Sequence, residues 1–247
     1  MISCNLAGGL GNYMFQIGAM YSLSSDVGFD KTNTAQVHKN IKTYLTNILR
    51  NISFNVNGLQ YQYDEPEFTY NKLPNEDNIL FNGYFQSEKY LDRDKILDLY
   101  SIDRDSADYI QLKYKNILSD SVSIHIRRGD YLDKQDKHPV QDMNYYNLAM
   151  SYFNNCKNFI IFSDDIEWCK NNFIGDQFVF IEGERDYIDL WLMSLCNHNI
   201  IANSSFSWWG AWLNQNKNKK VIAPSNWFGP KKELNAKDLY CKDWIII

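Results

Sequence analysis

Residues 125–131 read His-Ile-Arg-Arg-Gly-Asp-Tyr and follow the alternating apolar residues Val122, Ile124 and Ile126. The alternation predicts a buried strand over 121–126, so two arginines stand at its carboxyl end. A guanidinium at the end of a core strand needs an anionic partner. Its planar fork matches phosphate oxygens two at a time. Two readings are open on these residues alone. One is a solvated Arg–Asp pair. The other is a pyrophosphate clamp made by Arg127 and Arg128. His125, inside the strand, reads more readily as a hydrogen-bonded core histidine than as a free base.

Other segments carry similar choices. Gly8-Gly9-Leu10-Gly11-Asn12 places small residues before a helix, where Gly9 and Gly11 would let backbone approach a ligand. It is neither a P-loop nor a dinucleotide fingerprint, since Met14 stands where the third glycine belongs, and a plain strand–helix turn is the alternative. Asn203-Ser204-Ser205 precedes a helix containing Trp208 and Trp209. These residues either cap the helix or hold a phosphate at its positive end. Asp164 and Asp165 are adjacent, so in extended backbone they point apart and chelate poorly. No metal site is expected. Asp186 and Asp189 open a helix, either as favourable charge or as acceptors for a base amine or a ribose hydroxyl.

The elements that must position these groups alternate. Strands are expected at 2–7, 79–84, 121–126, 158–163, 177–181, 198–202 and 219–223. Helices are expected at 13–24, 87–100, 104–118, 143–154, from 166, at 186–196 and at 206–214. Residues 31–78 are polar and weakly periodic and take no assignment. The pattern is α/β with parallel sheets covered on both faces, and ligands of such sheets sit at the carboxyl ends of strands. Arg127, Asp164 and Ser204 fall there. The 247 residues are 45% hydrophobic with a net charge of −5, which argues against a nucleic-acid binder or a polybasic membrane anchor. Five cysteines without a CxxC pair suggest neither a disulfide framework nor structural zinc. No apolar run reaches the roughly 18–20 residues of a membrane span, and the first residues lack a signal-peptide pattern. A cytoplasmic protein is expected, with peripheral membrane association left open.

His125-Ile-Arg127-Arg128-Gly129-Asp130-Tyr131 resembles the HxRRGDY motif of α-1,2-fucosyltransferases of glycosyltransferase family eleven. Four more segments resemble the family in the same order: Gly8 to Gln16, Gly83 to Tyr90, Phe162 to Trp168, and Asp189 through Trp209. The resemblance implies a GT-B-type fold, two Rossmann-like halves with parallel sheets and an interdomain cleft. The acceptor-side half would span 1–118 and the GDP-fucose-binding half 119–247. It implies metal-independent transfer of L-fucose from GDP-β-L-fucose, with inversion, to a terminal galactose-type hydroxyl of an oligosaccharide or glycoconjugate. The product would be an α-1,2-linked fucoside, formed with no cofactor besides the donor. Arg127 would hold the β-phosphate, with Arg128 as second choice, and His125 would lie by the nucleotide. Asp189 would meet guanine or ribose, Ser205 and its loop partners Asn203 and Ser204 the phosphates, and Asn12 the reaction centre. The base is open among Asp130, Asp164 and Glu88, with Asp130 first. Two departures bear on the acceptor: Tyr13 replaces a glutamine, and the chain is short between residues 30 and 75. A transferase using another nucleotide sugar, or a catalytically impaired nucleotide-sugar-binding module, is the alternative.

Overall fold

Short apolar strands separated by polar turns build two parallel sheets in the computed structural model, which describes residues 1–30, 41–56, 58–154, 156–232 and 234–247. Residues 31–40, part of the stretch left unassigned from sequence, lie outside the described residues. The chain divides into two units, Met1–Asp103 with Leu234–Cys241, and Arg104–Glu233 with Lys242–Ile247. This division falls after residue 103, where the sequence expectation placed a boundary after residue 118. Helix 104–118 joins the second unit because Glu184 accepts hydrogen bonds from its Lys113, Tyr109 and Tyr114.

The first unit holds β1 (Ile2–Cys4), α1 (Leu10–Leu23), α2 (Ile41–Leu45), β2 (Tyr61–Asp64), β3 (Ile79–Asn82) and α3 (Arg93–Leu99). Its three strands run parallel in the order β1-β3-β2. Tyr13, Met14, Phe15, Ile17 and Met20 of α1 are buried, as are Phe81 and Phe85. The single helix expected over 87–100 is broken. A 3-10 turn at Glu88–Tyr90 ends, and the Asp92 carboxylate then caps α3 by accepting from the Lys95 amide. A side chain that bonds the backbone locally offers an alternative to continuing the helix. Strand β2 was not visible in the sequence. Its residues are largely exposed, and backbone pairing with β3 makes it a strand.

The second unit contains α4 (Arg104–Leu118), β4 (Ser121–Ile126), α5 (Met143–Met150), β5 (Asn158–Ser163), α6 (Ile166–Asn172) and β6 (Phe178–Phe180). It continues with α7 (Asp186–Leu195), β7 (His198–Ile200), α8 (Ser205–Leu213), β8 (Val221–Ala223) and β9 (Ile245–Ile246). The strand order is β6-β5-β4-β7-β8-β9, all parallel. Every residue of β4 is buried, as expected for a parallel strand covered on both faces. Val122, Ile124 and Ile126 pack with Tyr145, Tyr146 and Ala149 of α5. On the opposite face Ser123 accepts a hydrogen bond from Asn199, and the His125 ring meets Phe206 of α8. The chain leaves β4 toward β5 and β6, then returns to place β7 on the other side of β4. This strand order makes β4 and β7 the topological switch point, where α/β sheets bind ligands.

Four tryptophans support α8. Trp208 is fully buried, with ring centroids 5.1 Å from Trp209, 6.1 Å from Trp212 and 5.5 Å from Trp244. Gly210 lets α8 approach α7, since a Cβ there would stand 2.8 Å from the Met193 Cβ. Trp208→Ala is expected to destabilise the protein by about 3–5 kcal/mol, read as a lower urea midpoint with the slope of the transition unchanged.

Candidate functional site

Arg127 and Arg128 both leave the end of β4, yet their surroundings differ. Arg128 donates from Nε to Asp165 at 2.9 Å, and its guanidinium carbon lies 4.1 Å from the centroid of the Trp168 ring. Only 16% of this side chain is exposed. Asp165 also caps α6 by accepting from the Trp168 amide. Arg128 is thus fastened to α6, whereas Arg127 is 37% exposed. The Nη2 of Arg127 donates to Asp130 at 2.6 Å, and its Nη1 lies 2.9 Å from Asp164 Oδ2. Each terminal nitrogen of a guanidinium carries two hydrogens, so an incoming anion can share this fork.

Asp164 organises the loop. Besides pairing with Arg127, it accepts the Arg128 amide at 2.8 Å. A Cβ on Gly129 would stand 2.5 Å from Asp164 Oδ2, so the carboxylate needs glycine there. Asp130 pairs with Lys134 as well. Burial works to raise the Asp130 pKa, but the Lys134 hydrogen bond and the Arg127 charge outweigh it and hold the carboxyl below its ordinary value. Tyr131 donates to the Asn203 carbonyl and stacks on His138, tying this loop to the one after β7. Among the described residues, no three His, Cys, Asp or Glu side chains gather in a way that could hold a metal ion.

Among the described residues of the second unit, two buried side-chain polar atoms lack hydrogen-bond partners. His125 Nδ1 and Asp189 Oδ1 are buried without a hydrogen bond. The hydrogen-bonded core histidine expected from sequence is not what Nδ1 shows. Burial, helped by the Arg127 charge, lowers the His125 pKa to about 3, so the ring is neutral. Burial, with Glu184 and Asp186 adding repulsion, raises the Asp189 carboxyl to about 8. A buried polar group is expected to have a partner, so both atoms are suited to a polar ligand. The Asn203 side chain is already occupied. It donates to Pro139 and Trp227 and accepts from Gln141, so it fastens the loop. Ser204 caps α8 by accepting from the Phe206 amide, and Ser205 opens the helix half-exposed.

In the first unit, Gly8 has φ of +91° and a Cβ there would lie 2.2 Å from Asn12 Nδ2. The glycine that this turn requires is therefore Gly8, which was not among the sequence candidates. Gly9 is the residue before α1 and a Cβ on it would meet nothing. Gly11 is buried in the first turn of α1. Asn12 Oδ1 accepts from Gln86 at 2.8 Å. Tyr13 is fully buried, so this departure from the family pattern faces the core. Glu88 lies in the 3-10 turn before α3. Sequence reasoning also passed over Lys134, Tyr131 and Gln86. Tyr131 and Gln86 lay within quoted segments, where position and not residue type was the signal, and Lys134 lay outside them.

Two measurements check this geometry. Gly129→Ala is expected to displace Asp164 from the Arg128 amide, read as a shift of that amide's 15N NMR signal while the fold survives by circular dichroism. Asp189 makes stability pH-dependent. Its folded pKa lies above the unfolded value of 3.8, so its contribution is complete below pH 4 and is lost as pH rises toward about 8. Asp189→Asn should therefore flatten the fall in urea stability between pH 5 and 8, and a parallel fall in the variant would refute the assignment.

The whole chain, residues 1–247, matches the family profile described as Glycosyl transferase family 11. An alpha-1,2-colitosyltransferase of Escherichia coli is 35% identical over 289 aligned positions, covering 100% of this chain and 99% of its own. Human galactoside alpha-(1,2)-fucosyltransferase 1 is 34% identical over 103 positions, covering 37% of this chain and 28% of its own. Among solved structures, the alpha-1,6-fucosyltransferase NodZ soaked with GDP-fucose superposes with a TM-score of 0.52 at 10% identity, over 86% of this chain and 92% of that one. That likeness concerns the fold, which is α/β of GT-B type with parallel sheets, as expected from sequence. With a match running from its first residue to its last, the chain belongs to glycosyl transferase family 11.

Proposed function

We propose that the chain transfers L-fucose from GDP-β-L-fucose to a terminal galactose-type hydroxyl, with inversion, giving an α-1,2-linked fucoside. Arg127 carries this reading. It is the half-exposed guanidinium at the carboxyl end of β4, beside the switch point, held by carboxylates that an anion can share or replace. The orphaned atoms of His125 and Asp189 support a nucleotide in the same unit, with Asp189 meeting the base or the ribose. Ser205 and the start of α8 offer amides and a positive helix end to the diphosphate. The identity with a galactoside alpha-(1,2)-fucosyltransferase supports fucosyl transfer and the α-1,2 linkage. The setting would be cytoplasmic. Among the described residues no helix is long and apolar enough to cross a membrane.

A β-linked donor and an α-linked product need one displacement. As the bond to the sugar lengthens, negative charge grows on GDP, and the Arg127 guanidinium would take it up. Asn12 would face the reacting sugar or the acceptor hydroxyl. Asp130 and Asp164 are engaged with Arg127, and the lowered pKa of Asp130 makes it a weak base. A preorganised donor of this type is worth about 3 kcal/mol of transition-state stabilisation.

The 35% identity with a full-length alpha-1,2-colitosyltransferase favours a second reading, a colitosyl donor on the same scaffold. Incubation with GDP-fucose, GDP-colitose or UDP-galactose and a panel of β-galactosides, followed by linkage analysis, separates the two. Transfer from GDP-fucose to O2 is expected. Transfer from GDP-colitose alone would install the second reading, and binding without transfer would leave a binding module. Arg127→Ala should lower kcat about a hundredfold or more, Arg127→Lys should restore little, and EDTA should leave turnover unchanged. Near-normal turnover by the alanine variant, or loss of turnover with EDTA, would overturn the mechanism.

A further inference from the structure

Glu65, just past β2, is not a family-motif residue in the sequence reading, yet it determines the shape of a turn in the first unit. Its Oε2 accepts the Tyr84 amide at 2.7 Å and its Oε1 the Phe85 amide at 3.1 Å. A carboxylate accepting two backbone N–H groups makes two charge-assisted bonds. The turn it holds is one the chain would otherwise avoid. Phe85 has φ of +50°, in the left-handed region that residues with a Cβ rarely adopt. A Cβ on Gly83 would stand 2.5 Å from the Glu65 Cβ and 2.7 Å from its Oε2, so only glycine admits the carboxylate. The Phe85 ring is fully buried between Phe81 and Tyr90, 6.2 Å and 5.6 Å away.

The next residue is Gln86, whose Nε2 donates to Asn12 Oδ1 at 2.8 Å. That bond sets the Asn12 amide, with Oδ1 toward Gln86 and Nδ2 over Gly8. A second tie runs alongside it. Gln16 donates to the Gly83 carbonyl and accepts the Ala7 amide, each at 3.0 Å. The glycine loop and the 83–86 turn are therefore joined at two places by side-chain amides, and one carboxylate accepts both backbone amides at the left-handed residue and the one before it.

We propose that Glu65 is a positioning residue for the transfer reaction, acting through the 83–86 turn and Gln86 to orient the Asn12 amide. The proposal rests on the reading that Asn12 faces the reaction centre. Glu65 itself touches neither donor nor acceptor. Its loss should therefore lower turnover and leave nucleotide binding in the second unit intact.

The experiment compares Glu65→Ala, Glu65→Gln, Gln86→Ala and the double variant Glu65→Ala/Gln86→Ala. At saturating GDP-fucose and galactoside, Glu65→Ala should lose at least tenfold in kcat while Kd for GDP stays within twofold. Glu65→Gln, which keeps one acceptor oxygen, should fall between Glu65→Ala and the wild type. The double variant should be no slower than the slower single variant, because both act through one contact. In 15N NMR the Gln86 side-chain amide signals should move in Glu65→Ala and in Asn12→Ala alike. A kcat within twofold of wild type, rate losses that multiply, or unmoved Gln86 signals would each overturn the proposal. If the wild type transfers nothing from GDP-fucose, the functional reading fails, and the NMR comparison still decides the role of Glu65. If Glu65→Ala does not fold, Glu65→Gln and Gln86→Ala carry the same tests.

Discussion

A positive charge at the end of a buried strand has to be met, and in the second unit the Asp164 carboxylate meets it. One oxygen lies 2.9 Å from Arg127 and the other accepts the Arg128 amide. Gly129 is small so that this carboxylate can come close. The Arg-Arg-Gly-Asp run is therefore shaped by the residue that follows the neighbouring strand β5. Since β4 and β5 are paired in register from Ser121 to Ile126, the distance between arginine and carboxylate is set by the sheet. A charged cluster fixed by a sheet costs little reorganisation when a charged ligand arrives.

The same cluster divides labour between two neighbouring arginines. Arg128 is bound to Asp165 and lies over Trp168, with most of its surface covered. Arg127 keeps more exposure and meets its carboxylates through its terminal nitrogens. One arginine thus anchors the loop to α6, and the other stays more open to solvent. The acidic pair Asp164-Asp165 divides in the same manner, one facing Arg127 and the other capping α6.

The first unit solves a related problem with amides. Its glycine loop and its 83–86 turn carry few apolar side chains that could hold them together. Gln16, Gln86 and Glu65 make the connections, to backbone or to Asn12. Such bonds are directional, so they determine how an amide points as well as where it sits. Apolar packing enters behind them, with Tyr13 and Phe85 fully buried.

Much of this protein was legible in its sequence. The alternation of β4 and the helical spacing after it gave a parallel α/β unit, because period two and period 3.6 cannot be satisfied by the same backbone. The five ordered motifs pointed to the family. Arg127, Asp164 and Ser204 were placed at strand ends because strand ends follow from the same periodicity. Tertiary structure decided what depends on partners distant in the chain. β2 and β9 are strands only through pairing. Helix α4 joins the second unit through Glu184, seventy residues away. Asn203 is consumed by Pro139, Gln141 and Trp227, while Asp189 keeps a buried oxygen unpaired. Residue types specify which bonds a side chain is able to make. Which of those bonds are made depends on what folding brings within about 3 Å.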